Sequence, residues 1–167
     1  MNTKTITRTA TLLALLIALQ AATRPLGNQF LTGSCVNLVL AVAAMICDVW
    51  SGVAVAVVSP FFAYFLGISP QIWLAPAIAC GNVIYVLIIA LLGKRLEGLA
   101  GGTCGVAAAA VCKFVTLYLV VVKLFIPVGN LPAKVAAQFS WPQLVTALIG
   151  GFIALAIVPT VKKALKD

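Results

Sequence analysis

Residues 35–68 read CVNLVLAVAAMICDVWSGVAVAVVSPFFAYFLGI, and Asp48 is the one charged residue in this run of 34. As a single helix the run would be roughly 51 Å long, which exceeds a bilayer hydrocarbon core of about 30 Å. Two full crossings would need about 40 residues. The run therefore predicts two short or tilted membrane helices that turn near residues 48–52, where Asp48 and Trp50 suit the membrane interface.

The composition of the whole chain is typical of a protein whose solvent is lipid. Of its 167 residues, 63% are hydrophobic and 8% are charged, whereas soluble domains carry about 25% charged residues. Six spans use roughly 120 residues and leave room for loops but not for an added enzyme domain. We therefore predict an all-α integral membrane bundle of six transmembrane helices, forming a single transmembrane domain over residues 1–167.

Breaks in the hydrophobic pattern divide the chain into six predicted helices. Pro and Gly mark turns at 24–29 and 67–70, a charged loop covers 93–97, and residues 126–137 read as an outer loop. A secretory signal peptide is the alternative interpretation of the first segment, which has a basic start and ends near Ala21. The predicted spans are about 5–23, 35–48, 51–67, 71–92, 103–125 and 139–161.

The basic residues predict an orientation in the membrane. The net charge is +8, but no basic stripe interleaved with aromatic residues indicates nucleic-acid binding. With the N-terminus inside, seven basic residues lie at inner ends and three at outer ends. This bias predicts that both termini are cytoplasmic. The inner residues are Lys4, Arg8, Lys94, Arg95, Lys162, Lys163 and Lys166, and the outer ones are Arg24, Lys123 and Lys134.

Lys113 is the remaining basic residue, and it falls near the middle of the fifth predicted span. Burying a charge there costs roughly 3 kcal/mol on insertion scales, so its side chain should face the bundle interior or a water-filled cavity. Contact with an anionic or carbonyl group of a substrate is the functional interpretation. The structural alternative is that Lys113 pairs with backbone carbonyls, or that its stem packs along Cys112 and Phe114.

Other polar side chains are further candidates for a binding site. Asn82 and Tyr85 are three residues apart and share a helix face, while Asn37 lies near the outer start of the second span. Such amides either line a ligand pocket or link helices. Further candidates, for which plain loop chemistry is the alternative, lie in outer loops and helix ends: Gln29, Trp141, Asn28, Lys134 and Gln138.

Metal and catalytic sites find little support in the sequence. The chain has no histidine, and its five cysteines form no C-x-x-C pair. General acid–base chemistry would fall to Asp48 and Glu97, which lie in separate loops, or to Lys and Tyr. The glycine-rich stretch 98–102 has no lysine placed as in a P-loop, so we do not expect ATP hydrolysis by this chain. We expect no metal, no cofactor and no enzyme activity.

Three stretches carry a family resemblance. One helix face repeats a small residue every four positions, at Ala10, Ala14 and Ala18. The loop Pro25–Gly27 precedes two closely joined hydrophobic helices that end in 59–67, and the tail of the chain contains 141–151, WPQLVTALIGG, followed by Pro159 and a basic end. With these three stretches, the chain resembles the substrate-binding S component of an energy-coupling factor (ECF) transporter, the vitamin-uptake branch of the ABC transporters. The resemblance covers nearly the whole chain in size, helix count and loop order.

The resemblance implies a six-helix fold with a pocket near the outer face, closed by the loops after the first and third helices. It implies docking of the face of Ala10, Ala14 and Ala18 on a transmembrane coupling protein, which works with two ABC ATPase subunits in a prokaryotic plasma membrane. No motif matches the thiamine, riboflavin, biotin or folate subgroups. Carried over by position, the substrate-binding residues would be Asn37, Asn82, Tyr85, Lys113, Gln29 and Trp141.

Three other functions remain open from the sequence. A stand-alone permease acting as an oligomer would self-associate through the face of Ala10, Ala14 and Ala18. A small intramembrane enzyme would need several ionisable residues at one depth, where the sequence offers only Lys113. A structural subunit without a ligand would leave the cost of burying Lys113 and Asn82 unexplained.

Overall fold

The computed structural model describes residues 3–69, 71–95, 98–129 and 132–165. Glu97 and Lys166, which entered the predicted loop and the predicted orientation, lie outside these residues. Within them we find helices and connecting turns and no strand. The six main helices are α1 (Thr3–Thr23), α2 (Gln29–Ile46), α3 (Val49–Phe65), α4 (Ala75–Arg95), α5 (Gly98–Leu117) and α6 (Trp141–Ala164).

Smaller helical elements cluster at one end of the bundle. A 3-10 turn, Arg24–Leu26, follows α1, and another, Ile72–Leu74, precedes α4. Beyond its last α-helical residue, α5 continues as a π-helical segment, Tyr118–Phe125, and a short turn. The short helix Ala133–Gln138 then leads into α6. This end of the bundle is therefore more irregular than the long apolar helices.

The apolar helices are long enough to cross a membrane. In the described residues, five helical stretches meet the length and hydropathy of a span, and α3 is a shorter apolar helix. At 17 residues, α3 is roughly 25 Å long, a few ångströms less than a bilayer core, which thinning of the bilayer can accommodate. The prediction of an all-α membrane bundle is confirmed.

The turn between α2 and α3 falls at Cys47 and Asp48. The Asp48 side chain caps α3, because its Oδ1 accepts a hydrogen bond of 2.7 Å from the backbone N–H of Ser51, a donor that the helix itself leaves free. This bond holds the pKa of the Asp48 carboxyl below its usual value. The one charge in the long apolar run thus separates its two helices.

The start of α2 also depends on a cap. Asn28 Oδ1 accepts hydrogen bonds from the backbone N–H groups of Phe30 (2.9 Å) and Leu31 (3.3 Å). The helix therefore begins at Gln29, six residues before the first residue of the predicted second span. Because α2 starts this early, Gln29 and Gly33 face the end of the bundle where the smaller elements gather.

Small residues let the helices approach closely. Buried alanines of α2, α4, α5 and α6 contribute to the main core, together with larger side chains such as Leu40, Tyr85 and Val106. By contrast, α1 packs through one face only, with Leu16 fully buried. A second, smaller cluster joins the irregular elements, and its buried members are Leu74, Ala77, Leu117, Val121, Val135 and Phe139.

Candidate substrate-binding cavity

A cavity of about 390 Å³ opens among the ends of the helices on the irregular side of the bundle. Its wall takes residues from the ends of α1 and α3, the starts of α2, α4 and α6, and the middle of α5. The loops after α1 and α3 meet there, since a Cβ at Gly67 would lie 2.9 Å from Arg24 Nη2. Gly67 has a φ of +68°, which only glycine adopts without strain.

Lys113 lies at the bottom of this cavity. Its Nζ donates hydrogen bonds to Asn37 Oδ1 at 2.6 Å and to Asn82 Oδ1 at 2.7 Å. The ammonium also lies 5.4 Å from the centroid of the Tyr85 ring, a distance suited to a cation–π contact. Lys113 is 2% exposed. Four residues predicted separately from three spans thus form one polar cluster.

The two asparagines are held so that their oxygens point to the ammonium. Asn37 Nδ2 donates to the backbone oxygen of Gly33 at 2.9 Å and to Thr146 Oγ1 at 3.3 Å. Asn82 Nδ2 donates to the backbone oxygen of Ala56 at 3.4 Å. Because each amide nitrogen has an acceptor behind it, each amide oxygen is left for Lys113.

The Ala56 carbonyl is free for Asn82 because of Pro60. Proline has no backbone N–H, so the residue four positions earlier lacks its helical hydrogen-bond partner. Within a membrane such a carbonyl needs another donor. The proline of α3 thereby ties Asn82 of α4 to its place in the cavity wall.

The predicted site residues divide into those that line the cavity and those behind them. Lys113, Asn82 and Gln29 line it, whereas Asn37 and Tyr85 do not. Tyr85 is fully buried, and its hydroxyl donates to the backbone oxygen of Ala147 at 2.7 Å. Asn37 and Tyr85 therefore orient Lys113 from behind.

Gln29 and Trp141 have different surroundings. Gln29 Nε2 donates to the backbone oxygen of Gln138 at 2.7 Å, at the C-terminal end of the short helix, so it ties α2 to that helix at the rim. Trp141 is 62% exposed and packs on Phe30, with ring centroids 5.4 Å apart. Trp141 does not line the cavity.

Sequence reasoning missed two polar residues of the wall, Gln20 of α1 and Ser59 of α3. Gln20 is 3% exposed and Ser59 is 1% exposed. Gln20 Oε1 and Ser59 Oγ are buried without a hydrogen-bond partner among the described residues. Buried polar atoms are normally paired; Ser51 Oγ is a third buried atom without a partner, but Ser51 does not line the cavity. Gln20, the one amide in an apolar helix, was the signal in the sequence.

The cavity is basic. Arg24 and Lys134 are exposed at its rim, and Lys113 lies at its bottom. No Asp or Glu occurs among the described residues that line it. Nor do the described residues contain a cluster of side chains suited to a metal ion. The arrangement can hold a small polar molecule through the buried basic side chain of Lys113 and neutral hydrogen-bonding groups.

The face formed by Ala10, Ala14 and Ala18, hereafter the alanine face, lies elsewhere. All three alanines are exposed, on the side of α1 that points away from Leu16 and the core. Nearby, the hydroxyls of Thr7 and Thr11 donate to backbone carbonyls four residues earlier. The face is therefore smooth and presents no unsatisfied hydroxyl.

Comparisons with known proteins agree with this architecture at the level of the family. No curated protein and no solved structure matches the chain. A family model described as "ECF transporter, substrate-specific component" matches residues 4–162, which include all the helices that form the cavity. Members of this family are transporter subunits that bind small molecules and work with an energising module. The chain belongs to the substrate-specific components of ECF transporters.

Proposed function

We propose that this chain captures a vitamin-sized micronutrient for ATP-driven uptake across a prokaryotic plasma membrane. One observation carries the proposal: the cavity of about 390 Å³ has the buried polar side chains of Lys113 and Asn82 in its wall. Small-molecule sites are typically clefts of about 300–1,000 Å³ with a few well-placed polar groups. Both the volume and the lining support a small ligand.

The proposed substrate-binding residues have distinct roles. Lys113 and Asn82 contact the ligand, and Asn37 and Tyr85 position Lys113 through its hydrogen bond and the aromatic ring. Gln29 holds the rim through the Gln138 carbonyl. Trp141 lies outside the cavity, so a contact between Trp141 and the ligand would require the rim to move.

The proposed partners are a transmembrane coupling protein and two ABC ATPase subunits. The sequence has no P-loop from which this chain could use ATP. The exposed alanine face supports docking, because small residues let a partner helix approach closely. Docking followed by tilting of the subunit in the membrane would carry the cavity from the outer to the inner side. A smooth face suits repeated docking and release.

Two measurements on the purified chain test the proposal. Native mass spectrometry in a gentle detergent should detect a stoichiometric adduct of vitamin-like mass. Co-expression with an ECF energising module should yield a complex that co-purifies with the coupling protein. A spectrum that stays free of adduct after incubation with a vitamin and nucleobase panel, together with failure to co-purify, would contradict the proposal.

The proposed orientation has its own test. Six crossings place both termini on one side, and the bias of basic residues toward the start of α1 and the end of α6 predicts that this side is the cytoplasm. Reporter fusions should be active in the cytoplasm at both the N- and the C-terminus. An external C-terminus would overturn the six-crossing topology.

A further inference from the structure

The basic side chain of Lys113, at the bottom of the cavity, has no carboxylate partner among the described residues. The chain contains three acidic residues. Asp48 caps the far end of α3, and Glu97 and Asp167 lie outside the described residues. The described wall of the cavity contains no carboxylate. Amide oxygens and an aromatic face stabilise an ammonium, but they do not neutralise it.

Lys113 also has donor capacity to spare. An ammonium has three N–H donors, and the oxygens of Asn37 and Asn82 accept two of them. Because Lys113 lines the cavity, a ligand group placed there can accept the third. A charge-assisted bond of this kind is stronger than one between neutral groups.

Gln20 and Ser59 specify a second part of the ligand. Both line the same cavity, and both have a buried oxygen without a partner among the described residues. The amide oxygen of Gln20 accepts only, so it requires an N–H or O–H donor. The Ser59 hydroxyl can donate or accept. A ligand that is only an anion, such as a simple ion, would leave Gln20 unsatisfied.

We propose that the ligand is a small organic anion that also carries at least one N–H or O–H donor. Its carboxylate or phosphate binds Lys113, and its donor binds Gln20 or Ser59. The basic rim at Arg24 and Lys134 raises the local concentration of such anions. The inference rests on the proposed function, since it names the substrate class of the same cavity.

The test uses the full chain in lipid nanodiscs and the low-molecular-weight part of a complex growth medium. Anion exchange at neutral pH separates this mixture into an anionic and a non-anionic fraction. The shift in melting temperature of the chain is then measured with each fraction. We expect the anionic fraction to stabilise the chain and the other fraction to leave it unchanged. Treating the active fraction with a phosphatase distinguishes the two possible anionic groups. Stabilisation is lost if the ligand carries a phosphate and persists if it carries a carboxylate.

Matched pairs of pure compounds repeat the test at known concentration. Biotin and biotinamide, and pyridoxal phosphate and pyridoxal, each differ in an anionic group, and every member carries an N–H or O–H donor. Any pair that binds should favour its anionic member. A neutral member that binds as tightly would overturn the inference.

Three variants connect the result to the residues. Lys113→Met, which keeps a long apolar stem, should weaken binding of the anionic fraction roughly tenfold to hundredfold. Ser59→Ala should weaken it roughly threefold to tenfold and keep the preference for the anion. Lys123→Met is the control, because Lys123 is exposed and packs on Tyr118 outside the cavity. Lys123→Met should bind as the unmodified chain does.

The outcomes are separable from those of the proposed function. Stabilisation by the non-anionic fraction alone would overturn the proposal that the ligand is an anion. It would still support the proposed function of the chain as a substrate-binding subunit. Stabilisation by neither fraction would contradict both. Unchanged affinity of Lys113→Met for the anionic ligand would mean that Lys113 does not contact it, and would overturn the inference. Lys113→Gln keeps a polar group in the cluster, so it provides a second variant if Lys113→Met does not fold.

Discussion

The substitution Ala14→Trp is expected to abolish uptake while ligand binding stays intact. Ala14 is the middle residue of the alanine face, and it is exposed on the side of α1 opposite the buried Leu16. An indole ring there would hold a partner helix away from the small surface that close packing requires. It would leave the cavity untouched, because Ala14 is not among the residues that line it.

The measurement pairs transport with binding. Uptake by cells that express the energising module should fall roughly hundredfold or more, as expected if overpacking costs the docked complex about 3 kcal/mol, the upper part of the usual range. Ligand affinity of the purified variant should be unchanged. Val111→Trp is the matched control, since Val111 is also exposed, at 48%, but lies on α5.

Two results would contradict this interpretation of the alanine face. Equal loss of binding and uptake would mean that Ala14 supports internal packing. Loss of a self-associated form, with no effect on co-purification of a coupling protein, would favour the stand-alone permease. In that case the same small-residue surface would join copies of this chain.

The polar cluster could be predicted from the sequence because the membrane makes its members conspicuous. Lys113 in an apolar span has to face inward, and the same reasoning applies to Asn82 and Asn37. The interior of a small helix bundle is narrow, so polar side chains that face inward at a similar depth lie close to one another. The sequence therefore predicts which residues cluster, without predicting which atom bonds to which.

Other parts of the site depend on backbone details that hydropathy does not record. The side chain of Asn28 caps α2, which begins at Gln29. Asparagine is a preferred N-cap residue, but the Pro and Gly beside it predict a loop over the whole stretch 24–29. The π-helical segment Tyr118–Phe125 changes the face that each of its residues presents, although its sequence is as apolar as an α-helix.

The roles of Gln20 and Ser59 were missed for a related reason. In sequence, Gln20 shares α1 with several threonines and Ser59 shares α3 with Ser51. A serine can also satisfy itself on the preceding turn. That both have an unpartnered buried oxygen depends on how α1 and α3 are rotated about their axes. Trp141 is the opposite case. The sequence predicts that it binds the substrate, because it lies at the start of the last helix, but its side chain packs on Phe30.

Gly150→Ala should destabilise the bundle strongly, although it adds only one methyl group. A Cβ at Gly150 of α6 would lie 2.5 Å from the backbone nitrogen of Leu38 and 2.6 Å from the backbone oxygen of Ser34, both in α2. Backbone atoms cannot rotate away as the end of a flexible side chain can. The two helices must therefore separate, at a cost of about 3 kcal/mol, the upper part of the range for overpacking.

The same change should weaken ligand binding, because the contact is next to the polar cluster. The added Cβ would also lie 2.8 Å from Asn37 Cβ, and Asn37 holds the Lys113 ammonium at 2.6 Å. Moving α2 outward lengthens that hydrogen bond and removes an acceptor from a buried charge. Thermal unfolding in detergent and ligand affinity should therefore decline together.

Gly93→Ala is the matched control for this prediction. Gly93 lies near the end of α4, where a Cβ would meet no atom within 4 Å. With no clash, the substitution removes only the backbone freedom of glycine, and it should leave stability unchanged or raise it by about 0.5–1 kcal/mol. If both variants unfold at the same temperature, the close approach of α2 and α6 does not hold the bundle together. In that case Asn37 would need another explanation for its position beside Lys113.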